Sequence, residues 1–531
     1  MNNPTLPNTT DVLVIGYGPV GAALSALLGR YGIQTLVIDK SKDILMMPRA
    51  IALDNEALRI LQMVGLEEDA FERIVIPEVK MHCPYLGQFA QANTSGSIDG
   101  HPKLVTFYQP DLERALRIQT EKFDQVTVCL GYELVSIQQN DHSVVAVIHD
   151  EKGQLHQVQT RYVVGADGAS SKVRTLIEQD FKGQSYAEDW LIVDASHREG
   201  KAINHIEFIC DPKRPTPHMP APNGRERWEF MLQAGETREE MEQDSKVAEL
   251  LAPWIKPEDL VIERKAVYRF HARCCERFQV GRVFLVGDAA HITPPFVGQG
   301  LVAGLRDVAN LGWKLAWVVQ NYATSELLDS YDAERRPHAK KMIELAKVMG
   351  HLVMPRTTPK ALVIHGAMRF IRYMPPLRRH LEELEIKPKN RFKVGFFITK
   401  NRHKRLQRGS QIGQSWVRSC NGMTLSDSAL GDIFTMVGFG VDPRSLLDER
   451  THAQWLAHGG RFLQIGLRGQ RPTSDTPFLE DVSDQLVLSV PRGWIAITRP
   501  DRVIMHDGPA GQAAYIIGDC IQALKMNSSQ Y

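Results

Sequence analysis

Three glycines near the N-terminus stand at a spacing that can hold a phosphate chain. Gly16, Gly18 and Gly21 directly follow the apolar run 12–15, and a second apolar run ends in Asp39. The first glycine of such a unit allows a tight turn, the second lets the backbone approach a pyrophosphate, and the third lets a helix pack on the strand. A carboxylate after the second strand accepts hydrogen bonds from ribose hydroxyls. The pattern predicts a βαβ unit that binds NAD or FAD; the alternative is a βαβ unit with an ordinary glycine turn.

A second stretch places small and acidic residues directly after a predicted strand. The apolar run 162–164 leads into Gly-Ala-Asp-Gly at 165–168, and Ser170 can cap the helix that follows. This order of strand, turn and helix indicates a further loop at the edge of the same sheet.

A third stretch has the same design. The apolar run 283–286 leads into Gly287 and Asp288, and a loop rich in proline and glycine continues to Gly300. Leucine and valine at helical spacing then predict a long helix over 301–319. Lys314 interrupts its apolar face, and we expect that side chain to reach solvent along its apolar stem.

Length and composition limit the class of protein. The chain has 531 residues, of which 43% are hydrophobic and 24% charged, as in a globular protein of two or three domains. The formal net charge of +1 gives no overall attraction to nucleic acid. No basic segment followed by an apolar core opens the chain, and no run of 18 apolar residues occurs, so we predict neither a signal peptide nor a membrane span.

The seven cysteines are odd in number and have no C-x-x-C spacing. They predict thiols in a reducing cytoplasm rather than a disulfide framework or a metal site. Neighbouring strand residues face opposite ways, so Cys274 and Cys275 indicate a strand edge rather than a redox pair. The cysteines are Cys83, Cys129, Cys210, Cys274, Cys275, Cys420 and Cys520.

The middle of the chain has strand patterns. Alternating polarity over 74–108 predicts short antiparallel strands, and 126–165 predicts a meander. Residues 186–280 contain four strand patterns, a proline-rich loop over 211–224 and one charged helix over 236–251. We interpret this region as a sheet laid over the nucleotide-binding unit.

The last third of the chain has a different composition and a different pattern of predicted elements. Residues 350–410 are basic and rich in loops, which indicates a solvated connector because no nucleic-acid-binding module accompanies the charge. Residues 411–531 alternate strand patterns, one of them at 485–490, with helical ones, and predict a small α/β domain.

The three glycine-containing motifs, in this order, resemble those of the single-component FAD-dependent aromatic hydroxylases, the para-hydroxybenzoate hydroxylase superfamily. The resemblance covers roughly residues 10–400. Segments 48–59, 227–231 and 334–339 look most like the 3-(3-hydroxyphenyl)propionate hydroxylases of that superfamily. Those enzymes generally carry a tryptophan after the histidine of the third motif, whereas this chain has Thr-Pro-Pro-Phe at 293–296.

The resemblance implies an α/β fold with an inserted, mainly antiparallel sheet. Its expected parts are a Rossmann-type FAD-binding domain over 1–185 and 281–345, a substrate domain over 186–280 with part of 74–108, a helical connector over 346–410 and a thioredoxin-like C-terminal domain over 411–531. The C-terminal domain lacks C-x-x-C, so we expect it to serve packing or dimer contacts rather than electron transfer.

The resemblance also implies that the dinucleotide is FAD. It places Gln109 beside the flavin, Asp288 on the ribityl chain and Asp167 between the cofactor and the nicotinamide of NADH or NADPH. Arg49 is either a solvated surface arginine or a contact to cofactor phosphate or flavin. The predicted cofactor-binding residues are Gly16, Gly18, Pro19, Val20, Gly21, Asp39, Lys40, Arg49, Gln109, Asp167, Gly287, Asp288, Pro294, Gly298, Gln299, Gly300 and Leu301.

The activity implied is hydroxylation of a phenolic acid by O2, ortho to its hydroxyl, on 3-(3-hydroxyphenyl)propanoate or 3-hydroxycinnamate in aromatic catabolism. The sequence does not identify the base for the phenol; His291 is a candidate, and a structural histidine is its alternative. Cations that could meet the substrate carboxylate are Arg225, Arg227, Arg269 and His271. The alternatives are a larger polycyclic or antibiotic substrate, a flavin oxidase or dehydrogenase, and a non-catalytic FAD-binding protein.

Overall fold

The computed structural model describes residues 5–198, 202–374, 377–378, 382, 387–399 and 406–525. Parts of the predicted connector and the last six residues of the predicted C-terminal domain lie outside these ranges. The strands are β1 (Thr9–Ile15), β2 (Thr35–Asp39), β3 (Ala52–Asp54), β4 (Arg73–Val75), β5 (Glu78–Cys83), β6 (Gly87–Asn93), β7 (Ser97–Ile98), β8 (His101–Pro102), β9 (Leu104–Phe107), β10 (Val126–Leu130), β11 (Glu133–Gln139), β12 (Val144–His149), β13 (Leu155–Gly165), β14 (Phe181–His197), β15 (Ile206–Ile209), β16 (Thr216–Ala221), β17 (Arg225–Met231), β18 (Leu260–Cys275), β19 (Gln279–Val280), β20 (Val283–Leu285), β21 (His291–Ile292), β22 (Trp416–Ser419), β23 (Gly422–Leu425), β24 (Phe434–Phe439), β25 (Gly460–Gly466), β26 (Phe478–Asp481), β27 (Trp494–Thr498) and β28 (Ile504–Pro509). The helices are α1 (Pro19–Arg30), α2 (Asn55–Val64), α3 (Gln109–Thr120), α4 (Lys172–Leu176), α5 (Arg238–Met241), α6 (Asp244–Leu251), α7 (Gly300–Val319), α8 (Asp329–Val353), α9 (Thr358–Ile371), α10 (Asp427–Leu430), α11 (Glu449–Ala457) and α12 (Ala513–Lys525).

The first sheet brings the three glycine-containing motifs together. Its strand order is β10-β2-β1-β13-β12-β11, and β20 pairs with β13 beyond the end of β12. Strands β10, β2, β1, β13 and β20 run parallel, so their carboxyl ends share one edge. That edge is where open α/β sheets bind ligands.

The meander predicted over 126–165 is wrong for its first strand. Strand β10 lies beside β2 at one edge of the sheet, and β11 ends the opposite edge. A parallel neighbour requires a crossover connection, and α3, which packs on α1, supplies it. Only β11, β12 and β13 form the antiparallel part.

The second sheet has the order β21-β18-β14-β17-β16-β15-β5-β6 and is antiparallel except where β15 meets β5. The loop predicted over 211–224 is wrong in part, because β16 lies within it and pairs with both β15 and β17. Its six residues are all buried, so packing outweighs the missing N–H groups of its two prolines. The single helix predicted over 236–251 is two helices, α5 and α6.

The third sheet belongs to the C-terminal part, with the order β23-β22-β26-β25-β24-β27-β28. The strand predicted at 485–490 is wrong. The carboxylate of Asp481 accepts hydrogen bonds from the backbone N–H groups of Leu486 (2.7 Å) and Val487 (3.0 Å), and these bonds hold that segment in a turn.

A buried ionic cluster joins the C-terminal part to the first sheet's helices. Glu334 of α8 accepts hydrogen bonds from Arg499 (2.7 and 2.9 Å), from Lys314 of α7 (2.9 Å) and from Asn310 (2.6 Å). The expectation that Lys314 reaches solvent is therefore wrong, because its side chain is fully buried against Glu334. Burial lowers the pKa of Lys314 to about 8, and burial alone would raise the pKa of Glu334, which Arg499 and Lys314 hold below its usual range.

None of the helices in the described part of the chain has the length and apolar composition of a bilayer-spanning segment. The seven cysteines, all within that part, form no disulfide; Cys420 is exposed and the other six are buried. Cys274 and Cys275 are the last residues of β18, as the strand-edge interpretation predicts.

Candidate active site

A cavity of about 1690 Å³ lies where the carboxyl ends of the first sheet face the second sheet. A single drug-sized ligand occupies a pocket of about 300–1,000 Å³, so this cavity has room for a dinucleotide and a second molecule. Of the predicted cofactor-binding residues, Gly21 and Gly287 do not line it, and the other fifteen do.

The first glycine motif forms the turn between β1 and α1. Gly16 has a φ of +103°, and a Cβ there would lie 2.5 Å from the carbonyl oxygen of Ala166. A Cβ on Gly21 would lie 2.0 Å from the carbonyl oxygen of Gly16, which explains why Gly21 shapes the turn without lining the cavity. A Cβ on Gly18 would meet no atom within 4 Å, so the backbone here faces open space at the N-terminus of α1. Backbone N–H groups and the helix dipole at such a terminus suit a phosphate.

Asp39 lies at the end of β2 beside this turn. Its carboxylate accepts hydrogen bonds from the backbone N–H groups of Tyr17 (2.7 Å) and Ser41 (2.7 Å), one on each oxygen. Each carboxylate oxygen can accept a second bond, so the group can still receive ribose hydroxyls. Arg117 stacks 4.7 Å from the Tyr17 ring and also lines the cavity.

Asp288 lines the cavity just after β20. Among the described residues, none donates a hydrogen bond to its side chain, and burial raises the pKa of its carboxyl group although Arg49 partly offsets this. Asp288 is half-buried, and a carboxylate that loses part of its hydration without gaining a partner is costly, so this group is suited to a ligand that brings a donor.

His291 lies behind this edge and does not line the cavity. Its Nε2–H donates to Asp307 of α7 at 2.7 Å, and the same carboxylate accepts from the Gly287 backbone N–H (3.0 Å) and from Arg335 (2.8 Å). Asp307 thereby fixes the Gly287-Asp288 turn. This geometry favours the structural interpretation of His291.

The loop carrying Arg49 is held from two sides. The Gln109 side-chain oxygen accepts from the backbone N–H groups of Arg49 and Ala50, both at 2.8 Å. Arg227 donates to the carbonyl oxygens of Arg49 (3.0 Å) and Pro48 (2.8 Å) from the second sheet. The loop is therefore a bridge between the sheets, and Arg49 lines the cavity.

Asp167 lines the cavity, but its carboxylate is engaged within its own loop. It accepts hydrogen bonds from the Ser171 hydroxyl (2.5 Å) and from the backbone N–H groups of Lys172 (2.7 Å) and Val173 (3.1 Å). The side chain thus fixes the start of α4, and contact with a ligand falls to the exposed surface of the loop.

The loop before α7 supplies further backbone surface. Gly298 has a φ of +60°, and nothing lies within 4 Å of a Cβ built on Gly300. The Gln299 side chain is occupied on both ends, by Asp54 (3.1 Å) and by Arg306 (3.0 Å), so it anchors the loop. The N-terminus of a twenty-residue helix therefore opens onto the cavity, where its dipole favours negative charge.

The second sheet forms an apolar wall of the cavity. Apolar residues that line it are Val79, Met81, Ile192, Ile206, Phe208, Met219, Ala266, Phe270 and, from the loop before α7, Phe296. Trp190 packs behind this wall, stacked on Phe270 at 5.3 Å and edge-on to Phe296 at 6.0 Å. Such a wall suits an aromatic ring.

The four predicted carboxylate partners differ in availability. Arg225 does not line the cavity and pairs with Glu263 at 2.7 Å. Arg227 is locked by Asp194 at 2.6 Å and by the two carbonyl oxygens described above. Arg269 and His271 line the cavity, the first paired with Asp189 (2.7 Å) and the second with the Ser185 hydroxyl (2.8 Å).

Sequence reasoning missed two acids of the site region. They are Asp307 of α7 and Glu229 of β17, to which the sequence motifs assign no role. The signal for Asp307 was an acid inside a helix that is otherwise buried. Alternation groups Glu229 with Arg227 on one face of a strand whose other face carries Trp228 and Phe230, but this pattern does not show that the face with Glu229 lines a cavity.

A glycine-lined dinucleotide cradle that opens onto an apolar wall defines an oxidoreductase with a second ligand beside its cofactor. The family model described as FAD binding domain matches residues 9–346, and the one described as HcaD C-terminal domain matches residues 409–523. The chain belongs to the FAD-dependent aromatic hydroxylases.

Curated relatives match almost the whole chain. A 3-(3-hydroxy-phenyl)propionate/3-hydroxycinnamic acid hydroxylase 2 of Burkholderia vietnamiensis is 34% identical over 511 residues, 94% of this chain and 93% of that protein. The Escherichia coli K12 protein named 3-(3-hydroxy-phenyl)propionate/3-hydroxycinnamic acid hydroxylase is 33% identical over 465 residues, 87% of this chain and 84% of that protein.

Solved structures share the fold. The flavin-dependent monooxygenase PieE, in complex with FAD and substrate, superposes with a TM-score of 0.82 at 18% identity over 98% of this chain and 99% of its own. Aklavinone-11 hydroxylase with FAD and aklavinone gives 0.76 at 20% identity over 99% of this chain and 100% of its own. The predicted α/β hydroxylase fold, the FAD cofactor and the hydroxylase class are confirmed. The thioredoxin-like assignment and the domain boundaries stay predictions.

Proposed function

We propose that this hydroxylase uses NADH or NADPH and O2 to hydroxylate a small phenolic acid ortho to its hydroxyl, with 3-(3-hydroxyphenyl)propanoate or 3-hydroxycinnamate as substrate. The observation that carries the proposal is the continuous cavity, which joins the dinucleotide cradle to an apolar wall. The names of the curated relatives support the choice of acid.

The residues present fit FAD. The open backbone at Gly18 and the N-terminus of α1 would hold the pyrophosphate, and Asp39 would hold the ribose. Asp288 would accept a hydrogen bond from the ribityl chain, and Gln109 would position the Arg49 loop beside the flavin. When bound and reduced, FAD supplies the activated oxygen that is inserted into an electron-rich ring.

The protein itself positions the ligands and keeps water away from the aromatic ring. The apolar wall excludes water from the ring, and the N-terminus of α7 stabilises negative charge at the adjacent end of the cavity by about 1 kcal/mol or less. The Asp307 contacts keep the Gly287-Asp288 turn in place while the ligands exchange.

The carboxylate of the substrate needs a cation, because a buried carboxylate without one would cost several kcal/mol. Arg225 lies outside the cavity and Arg227 is locked, so Arg269 and His271 are the candidates that we propose. Either would exchange its present partner for the substrate.

The test is a substrate screen with product identification. We expect the acid to stimulate NAD(P)H oxidation and O2 uptake and to give a 2,3-dihydroxy product that carries one atom of labelled oxygen. Equal rates with the acid and with its amide would contradict a contact between the enzyme and the substrate carboxylate. Activity with polycyclic phenols alone would contradict the small phenolic acid as substrate and leave the hydroxylase class standing. NAD(P)H oxidation without labelled oxygen in any product would favour an oxidase.

We also propose a cytoplasmic location, which the absence of disulfides among the seven cysteines supports. The C-terminal part then serves packing or homodimer contacts, since Cys420 and Cys520 have no C-x-x-C spacing and Cys520 is buried. Sedimentation of the holoenzyme would give the oligomeric state.

A further inference from the structure

The second sheet carries one buried carboxylate that faces the cavity without a hydrogen bond. Glu229 is 8% exposed and lines the cavity, and among the described residues no donor reaches its carboxylate. Its cross-strand neighbour on β14 is Ile192, which also lines the cavity. A buried acid without a hydrogen bond is costly, so its retention calls for a partner that arrives from the cavity.

The nearby charges do not supply that partner. Arg227 and Arg264 both donate to Asp194, at 2.6 and 3.0 Å, and both also donate to the carbonyl oxygen of Pro48. Asp194 and the carbonyl oxygens of the Arg49 loop thus accept their hydrogen bonds, and the three charged groups together keep a net charge of +1. Glu229 is left as an acceptor in the wall where an aromatic ring would lie.

The charges around Glu229 act on its proton affinity in opposite directions. Burial raises the pKa of Glu229 to about 7; Arg227 and Arg264 lower it, and Asp194 raises it further. Tyr268 of β18 lines the cavity on the same face as Arg264, whose guanidinium lies 5.1 Å from the Tyr268 ring. Lys265, Arg269 and His271 of the same strand also line the cavity. A group that titrates near neutral pH can both accept and return a proton.

We propose that Glu229 is the catalytic residue that accepts the proton of the substrate hydroxyl. The inference rests on the proposed function and names the base that sequence analysis left unidentified. The O–H bond of the phenol breaks, its proton bonds to a carboxylate oxygen of Glu229, and the electron pair left on the phenol oxygen enriches the ring at the ortho carbon that receives oxygen. That carbon then releases its hydrogen as a proton to solvent, and the electron pair of the broken C–H bond restores the aromatic ring and returns negative charge to the phenol oxygen. Glu229 gives its proton back to that oxygen.

Geometry separates Glu229 from the other candidate. His291 donates to Asp307 and does not line the cavity, so it cannot reach a ring held there without breaking the turn at Gly287. Glu229 reaches the cavity without giving up any contact to a described residue.

The experiment compares the FAD-loaded wild-type enzyme with three variants. Glu229→Gln keeps the shape of the side chain and removes its basicity, and Glu229→Asp keeps the carboxylate at a shorter reach. The control is Glu249→Gln, an exposed glutamate of α6 that pairs with Lys246 outside the cavity. Flavin content and melting temperature confirm that each variant is folded.

Rates of hydroxylation are measured across pH with the phenol that the wild-type enzyme uses and with ring-fluorinated analogues, whose hydroxyls are more acidic. We expect Glu229→Gln to lower the rate by about 10²-fold or more. The wild-type rate should rise with pH through a pKa near that of Glu229, and the variant should lack that rise. The loss should shrink as the analogue becomes more acidic, and Glu229→Asp should recover part of the activity.

The outcomes distinguish a failure of the proton role of Glu229 from a failure of the proposed function. A rate and pH profile unchanged in Glu229→Gln, or a loss that is equal for all the phenols, would overturn the proton role. A wild-type enzyme that hydroxylates no phenol would refute the proposed function and this role with it.

Discussion

Replacing Asp288 distinguishes two effects of its carboxylate: the loss of protein stability that its desolvation causes, and the FAD affinity that we propose it provides. In the FAD-free protein the Asp288 carboxylate has no described donor, and burial raises its pKa above the usual value. The folded state therefore binds a proton more tightly than the unfolded state, so Asp288 lowers stability as pH rises through its unfolded pKa. Asp288→Asn removes this penalty, and we expect the FAD-free variant to unfold no more easily than the wild type at neutral pH.

Replacement of Asp288 should also weaken FAD binding, most strongly in Asp288→Ala. A hydrogen bond from a ribityl hydroxyl to a carboxylate contributes about 1.5–3 kcal/mol, which corresponds to a dissociation constant about 10- to 150-fold higher in Asp288→Ala. Asp288→Asn keeps an acceptor oxygen and should lose less. The assay is FAD titration of the FAD-free proteins by flavin fluorescence, with urea unfolding of each protein with and without FAD.

A neighbouring acid is the matched comparison. Asp307 accepts from Gly287, His291 and Arg335, so Asp307→Asn should lower the free energy of unfolding by about 3–5 kcal/mol whether or not FAD is present. If Asp288→Ala left FAD affinity unchanged, or if it destabilised the FAD-free protein as Asp307→Asn does, the assignment of Asp288 to the cofactor would be refuted.

Three further predictions test the glycine turn, the C-terminal part and the buried ionic cluster. Gly18→Ala should keep the wild-type stability without FAD but bind FAD more weakly, because its Cβ would enter the open space of the cavity. Gly21→Ala should destabilise the fold, because its Cβ would lie 2.0 Å from a carbonyl oxygen. FAD titration and urea unfolding distinguish the two variants. Replacing Cys420 and Cys520 with serine should leave NAD(P)H oxidation intact, and loss of flavin reduction in a folded variant would contradict this. Glu334→Gln should lower the free energy of unfolding by about 3–5 kcal/mol, since it leaves buried cations with a neutral partner, and an unchanged urea midpoint would show that the cluster is not stabilising.

Local patterns predicted the parts of the fold that depend on neighbours in sequence. The βαβ unit and the helix α7 follow from apolar spacing and glycine positions, and both occur close to the expected bounds. The prediction for Lys314 failed because its partner Glu334 lies 20 residues away on another helix. Strand β16 escaped detection because its support comes from β15 and β17 on either side, which outweighs its proline content.

The candidate site divides in the same way. Residues of the glycine motifs could be named because their spacing is read directly from the sequence, and backbone geometry requires glycine at Gly16, Gly21 and Gly287. The contacts of Asp167, Gln109 and Gln299 could not be predicted from the sequence. Each of these side chains holds a loop through hydrogen bonds that form only in the folded chain. Glu229 could not be distinguished from any other strand glutamate until the facing sheet enclosed it.

The buried acids of this protein separate into two groups by their partners. Asp307, Asp194 and Glu334 each accept hydrogen bonds from two or more donors, so their charges are compensated within the chain and they hold elements together. Asp288 and Glu229 face the cavity, have no donor among the described residues, and have raised pKa values because nearby cations offset only part of the effect of burial. Since an uncompensated buried charge costs stability, what retains it must act when ligands are bound. The first of these acids lies on the side of the dinucleotide cradle and the second on the apolar wall, so we propose that one carboxylate binds a cofactor hydroxyl and the other a substrate hydroxyl.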